Sequence, residues 1–125
     1  MQNDLPSEPP RLDVRLLDFA VAVVKLANML PRTVTGRHIG RQLIRSGTSA
    51  AANYEEACAG ESRADFLHKL QISLKELRES RFWLRLVLSS QLAAEAECKT
   101  VLRGSEELCK IIAKSILTAK RNNTQ

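Results

Sequence analysis

The chain has 125 residues, of which 44% are hydrophobic, and this size and composition are typical of one globular domain with one core. Its 19 Lys and Arg residues exceed its 14 Asp and Glu residues, and the net charge of +5 favours anionic partners such as RNA, DNA or a membrane surface. No apolar run reaches the roughly 20 residues that span a bilayer, and no secretory signal is evident, so we expect no membrane insertion. The three cysteines (Cys58, Cys98 and Cys109) are few and widely spaced, which indicates free thiols and a cytoplasmic protein.

Residues 1–10 contain three of the four prolines and predict a disordered tail, and residues 122–125 predict a second, shorter one. Between them, residues 11–121 form the predicted domain. Its first helix begins near Asp13 and ends at Pro31, because a proline forces the preceding residue out of the helical conformation. The apolar residues of this helix recur at steps of three and four and therefore share one face. They are Leu16, Phe19, Ala20, Val23, Ala27 and Leu30.

The second helix begins near Thr35 or Gly36, with Thr35 as a plausible N-cap. One apolar or small stripe runs along it, comprising Ile39, Leu43, Gly47, Ala50, Tyr54 and Ala57. Gly47 lowers helix propensity by about 1 kcal/mol relative to alanine, so some gain must offset it. The short side chains around it predict that another helix approaches closely there.

Gly60 predicts the end of the second helix, and Ser62 predicts the N-cap of a third helix, from Arg63 to Ser89. The main apolar stripe of this helix is Phe66, Leu70, Leu74, Leu77, Leu84 and Leu88. A second apolar group on another face comprises Ile72, Trp83, Leu86 and Val87. Two apolar faces need two burial partners, and we predict that the second partner is another subunit. The alternative is that Trp83 covers the edge of the core.

A turn near residues 90–95 precedes a fourth helix from Glu95 to Lys120. Its predicted inner residues are Val101, Leu102, Leu108, Cys109, Ile112, Ile116 and Ala119. Four long helices joined by short links predict an all-α fold, an antiparallel up-down-up-down four-helix bundle.

None of the familiar catalytic or metal-binding patterns is complete. The segment Gly47-Thr48-Ser49 resembles a nucleophile elbow, but no strand precedes it, and only His38 and His68 could serve as a base. A di-iron bundle needs repeated Glu-x-x-His pairs, and a structural zinc site needs closely spaced cysteines. No glycine-rich phosphate loop follows a strand either. We therefore expect no enzyme activity, no metal, no cofactor and no small-molecule substrate.

Glu55 and Glu56 are adjacent acids near the end of the second helix. An arginine near a core needs a carboxylate partner, and Arg81 lies close to the main stripe of the third helix. We predict a structural ion pair in which Glu55 or Glu56 meets Arg78 or Arg81, with Asn53 nearby.

Arg37, Arg41 and Arg45 recur every four residues and share a face opposite the apolar stripe of the second helix. A second basic row on the outer face of the fourth helix comprises Lys99, Arg103, Lys110 and Lys114. Glu106 and Glu107 interrupt it. Such rows contact phosphates without reading sequence, although they are also common on ordinary solvated helices. Because aromatic residues are only 4% of the chain, we expect recognition of shape or phosphates rather than of bases.

Two long blocks, Ile39 to Ala57 (IGRQLIRSGTSAAANYEEA) and Asp65 to Leu86 (DFLHKLQISLKELRESRFWLRL), together with Leu16 to Leu26, carry a family resemblance. The chain resembles the four-helix bundle proteins encoded in intervening sequences of bacterial large-subunit ribosomal RNA genes, a family related to the accessory subunit of diversity-generating retroelements. The match covers about Leu16 to Lys120. The resemblance implies a homopentameric ring and, for the retroelement branch, binding of RNA and of a reverse transcriptase. It implies no catalytic residues.

We therefore expect an oligomeric non-enzyme that binds structured RNA through phosphate contacts. The alternative is a scaffold that binds only protein partners.

Overall fold

Four α-helices contain most of the residues that the computed structural model describes, which are 11–60 and 62–123. They are α1 (Leu12–Asn28), α2 (Val34–Cys58), α3 (Arg63–Ser89) and α4 (Glu95–Asn123). These two ranges contain no strand, so the predicted all-α class is confirmed. No helix within them is long and apolar enough to cross a bilayer.

The predicted tails are only partly covered. Residues 1–10 lie outside the described residues, as do residues 124 and 125. The boundary of the predicted C-terminal tail is wrong, because Asn122 and Asn123 continue α4 beyond its predicted end at Lys120.

Contacts between neighbouring helices show that each runs antiparallel to the next. As α2 proceeds from His38 to Glu56, its partners on α3 proceed backwards from Trp83 to Lys69. The same reversal joins α1 to α2, where Gly40 lies near Ala27 and Gly47 near Val23. It also joins α1 to α4, where Arg15 pairs with Glu107 and Phe19 lies near Gly104. Leu84, near the end of α3, contacts Cys98, near the start of α4. The diagonal pairs, α1 with α3 and α2 with α4, make no close backbone contact within the described ranges. The order is therefore up-down-up-down, as predicted.

Two hydroxyl side chains fix the starts of the central helices. Ser62 accepts a hydrogen bond from the Asp65 amide at 3.1 Å, which confirms the predicted N-cap of α3. The predicted cap of α2 is wrong: Thr33, not Thr35, accepts a hydrogen bond from the Gly36 amide. Thr33 has the extended backbone that an N-cap requires, whereas Thr35 already lies within the helix.

The predicted turn between α3 and α4 is confirmed. Gln91 has a φ of 57°, the left-handed conformation that commonly follows the end of a helix. The Leu92 amide then donates to the Val87 carbonyl at 3.1 Å, which satisfies a carbonyl of the last turn. The chain thereby reverses within a few residues and returns along α3 as α4.

Gly47 lies at a close approach of α2 to α1. A Cβ atom built on Gly47 would lie 2.9 Å from Cγ1 of Val23, a fully buried side chain of α1. The predicted close helix approach is therefore confirmed, and it offsets the weak helix propensity of glycine. Most residues of the predicted apolar stripes are likewise buried in one core shared by all four helices.

We predict that Gly47→Ala lowers the free energy of unfolding by about 1 kcal/mol, measured by urea denaturation. Alanine improves helix propensity by about 1 kcal/mol, but forcing a methyl group against a packed side chain typically destabilises by about 1–3 kcal/mol. Val23 has little freedom to move away, because a β-branched residue in a helix strongly prefers one χ1 rotamer.

Gly104→Ala on α4 is the matched control. A Cβ atom there would lie 3.9 Å from Cδ1 of Phe19, an ordinary contact, so this change should stabilise the protein by up to about 1 kcal/mol. If both substitutions stabilise the protein, the tight contact between Gly47 and Val23 does not govern the packing of α1 on α2.

Candidate nucleic-acid interface

The arginine row of α2 is divided between two roles. Arg37, Arg41 and Arg45 are all exposed, as predicted. Arg45 reaches across to α3, where Nη1 donates to Oε2 of Glu76 at 2.8 Å and Nη2 pairs with Glu79. Arg37 and Arg41 form no ion pair with any residue of the described ranges. Only these two members of the row remain available to an anion.

Glu76 explains why Arg45 is held in this way. Its side chain is only 10% exposed, and it lies among residues of α3 that pack towards α2. A buried carboxylate requires a cation and hydrogen bonds, and Arg45 supplies both. The sequence carried a signal of this pair, because Glu76 falls between the inward-facing positions Ser73 and Ser80. The predicted pair placed the acid on α2 and the base on α3, whereas the observed pair has the base on α2 and the acid on α3.

The predicted pair of Glu55 or Glu56 with Arg78 or Arg81 is wrong. Glu56 pairs instead with Lys69, at 3.5 Å, and Glu55 makes no ion pair with a described residue. Arg78 and Arg81 belong to the other side of α3, towards α4, and the carboxylates at the end of α2 do not meet them.

Arg78 and Arg81, which do not pair with Glu55 or Glu56, line a groove between α3 and α4. It has a volume of about 520 Å3, with Arg78 and Arg81 on the α3 side and Arg103 and Lys110 on the α4 side. None of these four cations forms an ion pair with a residue of the described ranges. We call the surface that these four cations line the α3–α4 basic groove. Arg103 and Lys110 were predicted as anion contacts, whereas Arg78 and Arg81 were assigned to a structural pair.

Two carboxylates also line the α3–α4 basic groove, but they leave it positive. Glu107 pairs with Arg15 of α1 at 3.1 Å, and Glu106 is exposed. Burial raises the pKa of the Cys109 thiol in the groove, and the positive charges of Arg81 and Arg78 partly oppose that rise.

The other two members of the α4 row do not join the groove. Lys99 pairs with Glu95 one turn away at 2.6 Å, and this hydrogen bond lowers the pKa of the Glu95 carboxyl. Lys114 lines a different surface depression beside Phe66 and Ile111. The four residues that the sequence predicted as one row therefore lie in three different environments: an ion pair, the α3–α4 basic groove and a separate depression.

The residues predicted to contact another subunit lie mostly on the core of their own chain. Val87 is fully buried, so its assignment to a subunit interface is wrong. Trp83 and Leu86 are half-buried and pack against the core, and Ile72 is half-buried. The large exposed apolar side chains lie elsewhere. Three of them, Val14, Leu17 and Val21, form a row on α1, and the others are Met29, Val34, Phe82 and Leu117.

The segment that resembled a nucleophile elbow lies in the interior of α2. The Thr48 hydroxyl donates to the Ile44 carbonyl at 2.6 Å, and Ser49 accepts a hydrogen bond from Asn53. Within residues 11–60 and 62–123, no three His, Cys, Asp or Glu side chains come together to hold a metal ion.

The fold and this surface define a small helical-bundle protein with a positively charged groove. A model of the family described as 23S rRNA-intervening sequence protein matches residues 15–114, and the chain belongs to this family. A crystal structure of a protein of unknown function from the S23 ribosomal protein family of Bacteroides thetaiotaomicron is similar, with a TM-score of 0.76 and 34% sequence identity over 85% of this chain and 98% of that chain. The predicted family resemblance is thus confirmed. No curated protein matches the sequence.

We predict that Arg45→Met lowers the free energy of unfolding by about 2 kcal/mol at neutral pH. Removing one partner of a buried ion pair typically costs about 3–5 kcal/mol, and the partial exposure of Arg45 reduces that figure. Urea denaturation measures the change. The double variant Arg45→Met with Glu76→Gln should recover part of the loss, because it also removes the buried charge.

Arg41→Met is the matched control, since Arg41 belongs to the same row but has no ion pair with a described residue. It should change stability by less than about 0.5 kcal/mol. Equal stability of Arg45→Met and the wild-type protein would show that Glu76 does not depend on this guanidinium.

Proposed function

We propose that this protein is a non-catalytic module that binds structured RNA through phosphate contacts in the α3–α4 basic groove. The observation that carries the proposal is the convergence of four cations from two helices with no ion-pair partner among the described residues. Bringing like charges together is unfavourable unless an anion neutralises them. A phosphate backbone is an anion of matching extent, since it offers a charge at every nucleotide.

The shape of the groove favours a polymer over a small metabolite. Ligand sites for small molecules are usually enclosed and largely apolar, with a few convergent polar groups. This groove runs between two helix surfaces and is lined mainly by long charged side chains. Those side chains suit a polyanion lying along the surface. The family name associates its members with sequences that intervene in 23S rRNA, which favours RNA over DNA.

Arg37 and Arg41 form a second basic area near the start of α2. With Arg32, they line a shallow depression at the turn between α1 and α2. We assign secondary phosphate contacts to Arg37 and Arg41. Arg45 is not assigned one, because its guanidinium is already paired with Glu76 and Glu79 of α3. The three cysteines are free, which suits a reducing compartment, and we place the protein in the cytoplasm.

We also propose that the protein assembles into a homopentameric ring, as the family resemblance implies. The exposed row Val14, Leu17 and Val21 on α1 supports an apolar contact between subunits, because these residues recur on one face at steps of three and four. We propose this face of α1 as the subunit contact instead of the group around Trp83 that the sequence suggested.

We predict that the double variant Arg103→Gln with Lys110→Gln binds a hairpin RNA about tenfold more weakly than the wild-type protein. Both side chains are exposed, so the fold should be unaffected. Loss of two phosphate contacts should also reduce the magnitude of the slope of log affinity against log salt concentration by roughly 1.4–1.8. Fluorescence anisotropy with purified, nuclease-treated protein measures both quantities.

The control for this experiment is Lys99→Gln with Lys120→Gln, which removes the same charge from two exposed positions nearer the ends of α4. It should weaken binding by less than about threefold, because these residues lie outside the groove. Equal losses in both double variants would mean that overall charge, rather than the groove, attracts RNA. Absence of binding by the wild-type protein at low salt would remove the proposed function and favour a protein scaffold.

We predict that Leu17→Glu dissociates the assembly without unfolding the protomer. Leu17 is exposed, so a charge there is solvated in the free subunit but would be buried without a partner between subunits. Light scattering after size-exclusion chromatography measures the mass, and circular dichroism checks the helix content. A wild-type protein with the mass of one subunit would contradict the assembly proposal.

A further inference from the structure

Three aromatic side chains from two helices meet at the surface. The Trp83 ring lies 5.1 Å from the Phe82 ring at an interplanar angle of 71°, and 5.8 Å from the His38 ring of α2 at 82°. These are edge-to-face contacts, a favourable arrangement for aromatic pairs. Aromatic residues are scarce in this chain, so their clustering here is a feature that the sequence did not suggest.

The Phe82 ring is held in place although it faces solvent. Trp83, which it contacts, donates its indole N–H to Oε2 of Glu79 at 3.1 Å, and Glu79 also pairs with Arg45 of α2. The orientation of Trp83 is therefore fixed by an anchor that joins two helices. Phe82 packs against that fixed ring while remaining 55% exposed. An ordered ring with an open surface loses little conformational freedom when it binds a flat partner.

Phe82 lies one helix turn from a residue of the α3–α4 basic groove. Arg78 precedes it by four residues and Arg85 follows it by three, so all three side chains share one face of α3. Arg78 lines the groove, and Arg85 is exposed. The exposed ring is thus flanked by cations along the helix, one of which we assign to phosphate binding.

We infer that Phe82 is a stacking platform for an unpaired base of the RNA whose phosphates occupy the α3–α4 basic groove. This inference rests on the proposed function and specifies the kind of RNA. Every base has a π-face that can stack on an aromatic ring, but a duplex keeps those faces within its own stack. Only a loop, a bulge or a single-stranded segment can present one. The protein should therefore prefer RNA with unpaired bases beside a helical or extended backbone.

The charges around Phe82 favour RNA over a second copy of the chain. Glu79, the acid nearest Phe82 along α3, is already paired with Arg45. In a subunit contact centred on the Phe82 ring, Arg78 and Arg85 would therefore be partly desolvated without an acid of their own helix to neutralise them, and charged residues are depleted from interface cores. An RNA strand neutralises the same guanidinium groups with its phosphates. The exposed apolar row on α1 is a different surface.

The test compares two RNAs with equal numbers of phosphates, a hairpin with an oligouridine loop and a fully paired blunt duplex. The full-length protein is titrated at one salt concentration, and affinity is measured by fluorescence anisotropy. We expect Phe82→Leu to weaken hairpin binding about tenfold and duplex binding less than twofold, because leucine keeps the apolar bulk but removes the π-face. Phe82→Tyr should retain the affinity of the wild-type protein.

Leu117→Ala is the matched control, since Leu117 is an apolar side chain of α4 with an exposure similar to that of Phe82. It should bind both RNAs as the wild-type protein does. A second readout uses Trp83, the only tryptophan of the chain. Oligouridine should quench its emission in the wild-type protein and in Phe82→Tyr, and much less in Phe82→Leu.

The possible results separate this inference from the proposed function. Equal binding of hairpin and duplex that Phe82→Leu does not change would overturn base stacking and leave phosphate binding intact. Failure of the wild-type protein to bind either RNA would overturn both. If Phe82→Leu changes the mass measured by light scattering but not the RNA affinity, the ring is a subunit contact and the inference is wrong.

Discussion

The close approach of α2 to both of its neighbours is the constraint on which the remaining structure depends. On the side of α1, Val23 packs so closely on Gly47 that a Cβ atom at Gly47 would lie only 2.9 Å from Cγ1 of Val23. On the other side, the Ser80 hydroxyl donates to the Ser46 hydroxyl at 2.8 Å, and the Ser73 hydroxyl donates to a backbone carbonyl of α2 at 2.8 Å. Such short side chains let the helix backbones come together while every buried polar side-chain atom in the described ranges keeps a hydrogen-bond partner.

This close packing also divides the charges of α3 between its two sides. Glu76 and Glu79 face α2, where Arg45 neutralises them. The arginines Arg78 and Arg81 face α4, where the nearby Glu107 is already paired with α1. Positive potential therefore accumulates on one side of a chain whose net charge is only +5. Net charge alone understates this local imbalance, because Glu76, Glu79 and Glu107 pair with other helices whereas Arg78 and Arg81 form no ion pair with a described residue.

The sequence predicted the helices and their order because hydrophobic periodicity and turn residues act locally. It misplaced contacts that depend on how two helices face each other. Val87 of the second apolar group was assigned to another subunit, yet it is fully buried on a helix against which both α2 and α4 pack. The ion-pair error has the same cause, since Glu76 and Arg78 are two positions apart in sequence but face different helices. Periodicity shows which residues share a face, but it does not identify the neighbour that the face meets.

Glu79 connects the structural part of this surface to the proposed functional part. The carboxylate that pairs with Arg45 also fixes Trp83, and Trp83 in turn supports the exposed ring of Phe82. The packing of α2 on α3 therefore determines where an aromatic platform lies relative to the α3–α4 basic groove. The apolar row on α1 belongs to the helix diagonally opposite α3, because these two helices make no close backbone contact within the described ranges. In a ring of five subunits, the α1 row of one subunit meets a different surface of the next. If that second surface lies outside the groove, each subunit presents the same cations and the same Phe82 side chain to one RNA. Repeated weak phosphate contacts of this kind gain affinity from their number, because each later contact is intramolecular.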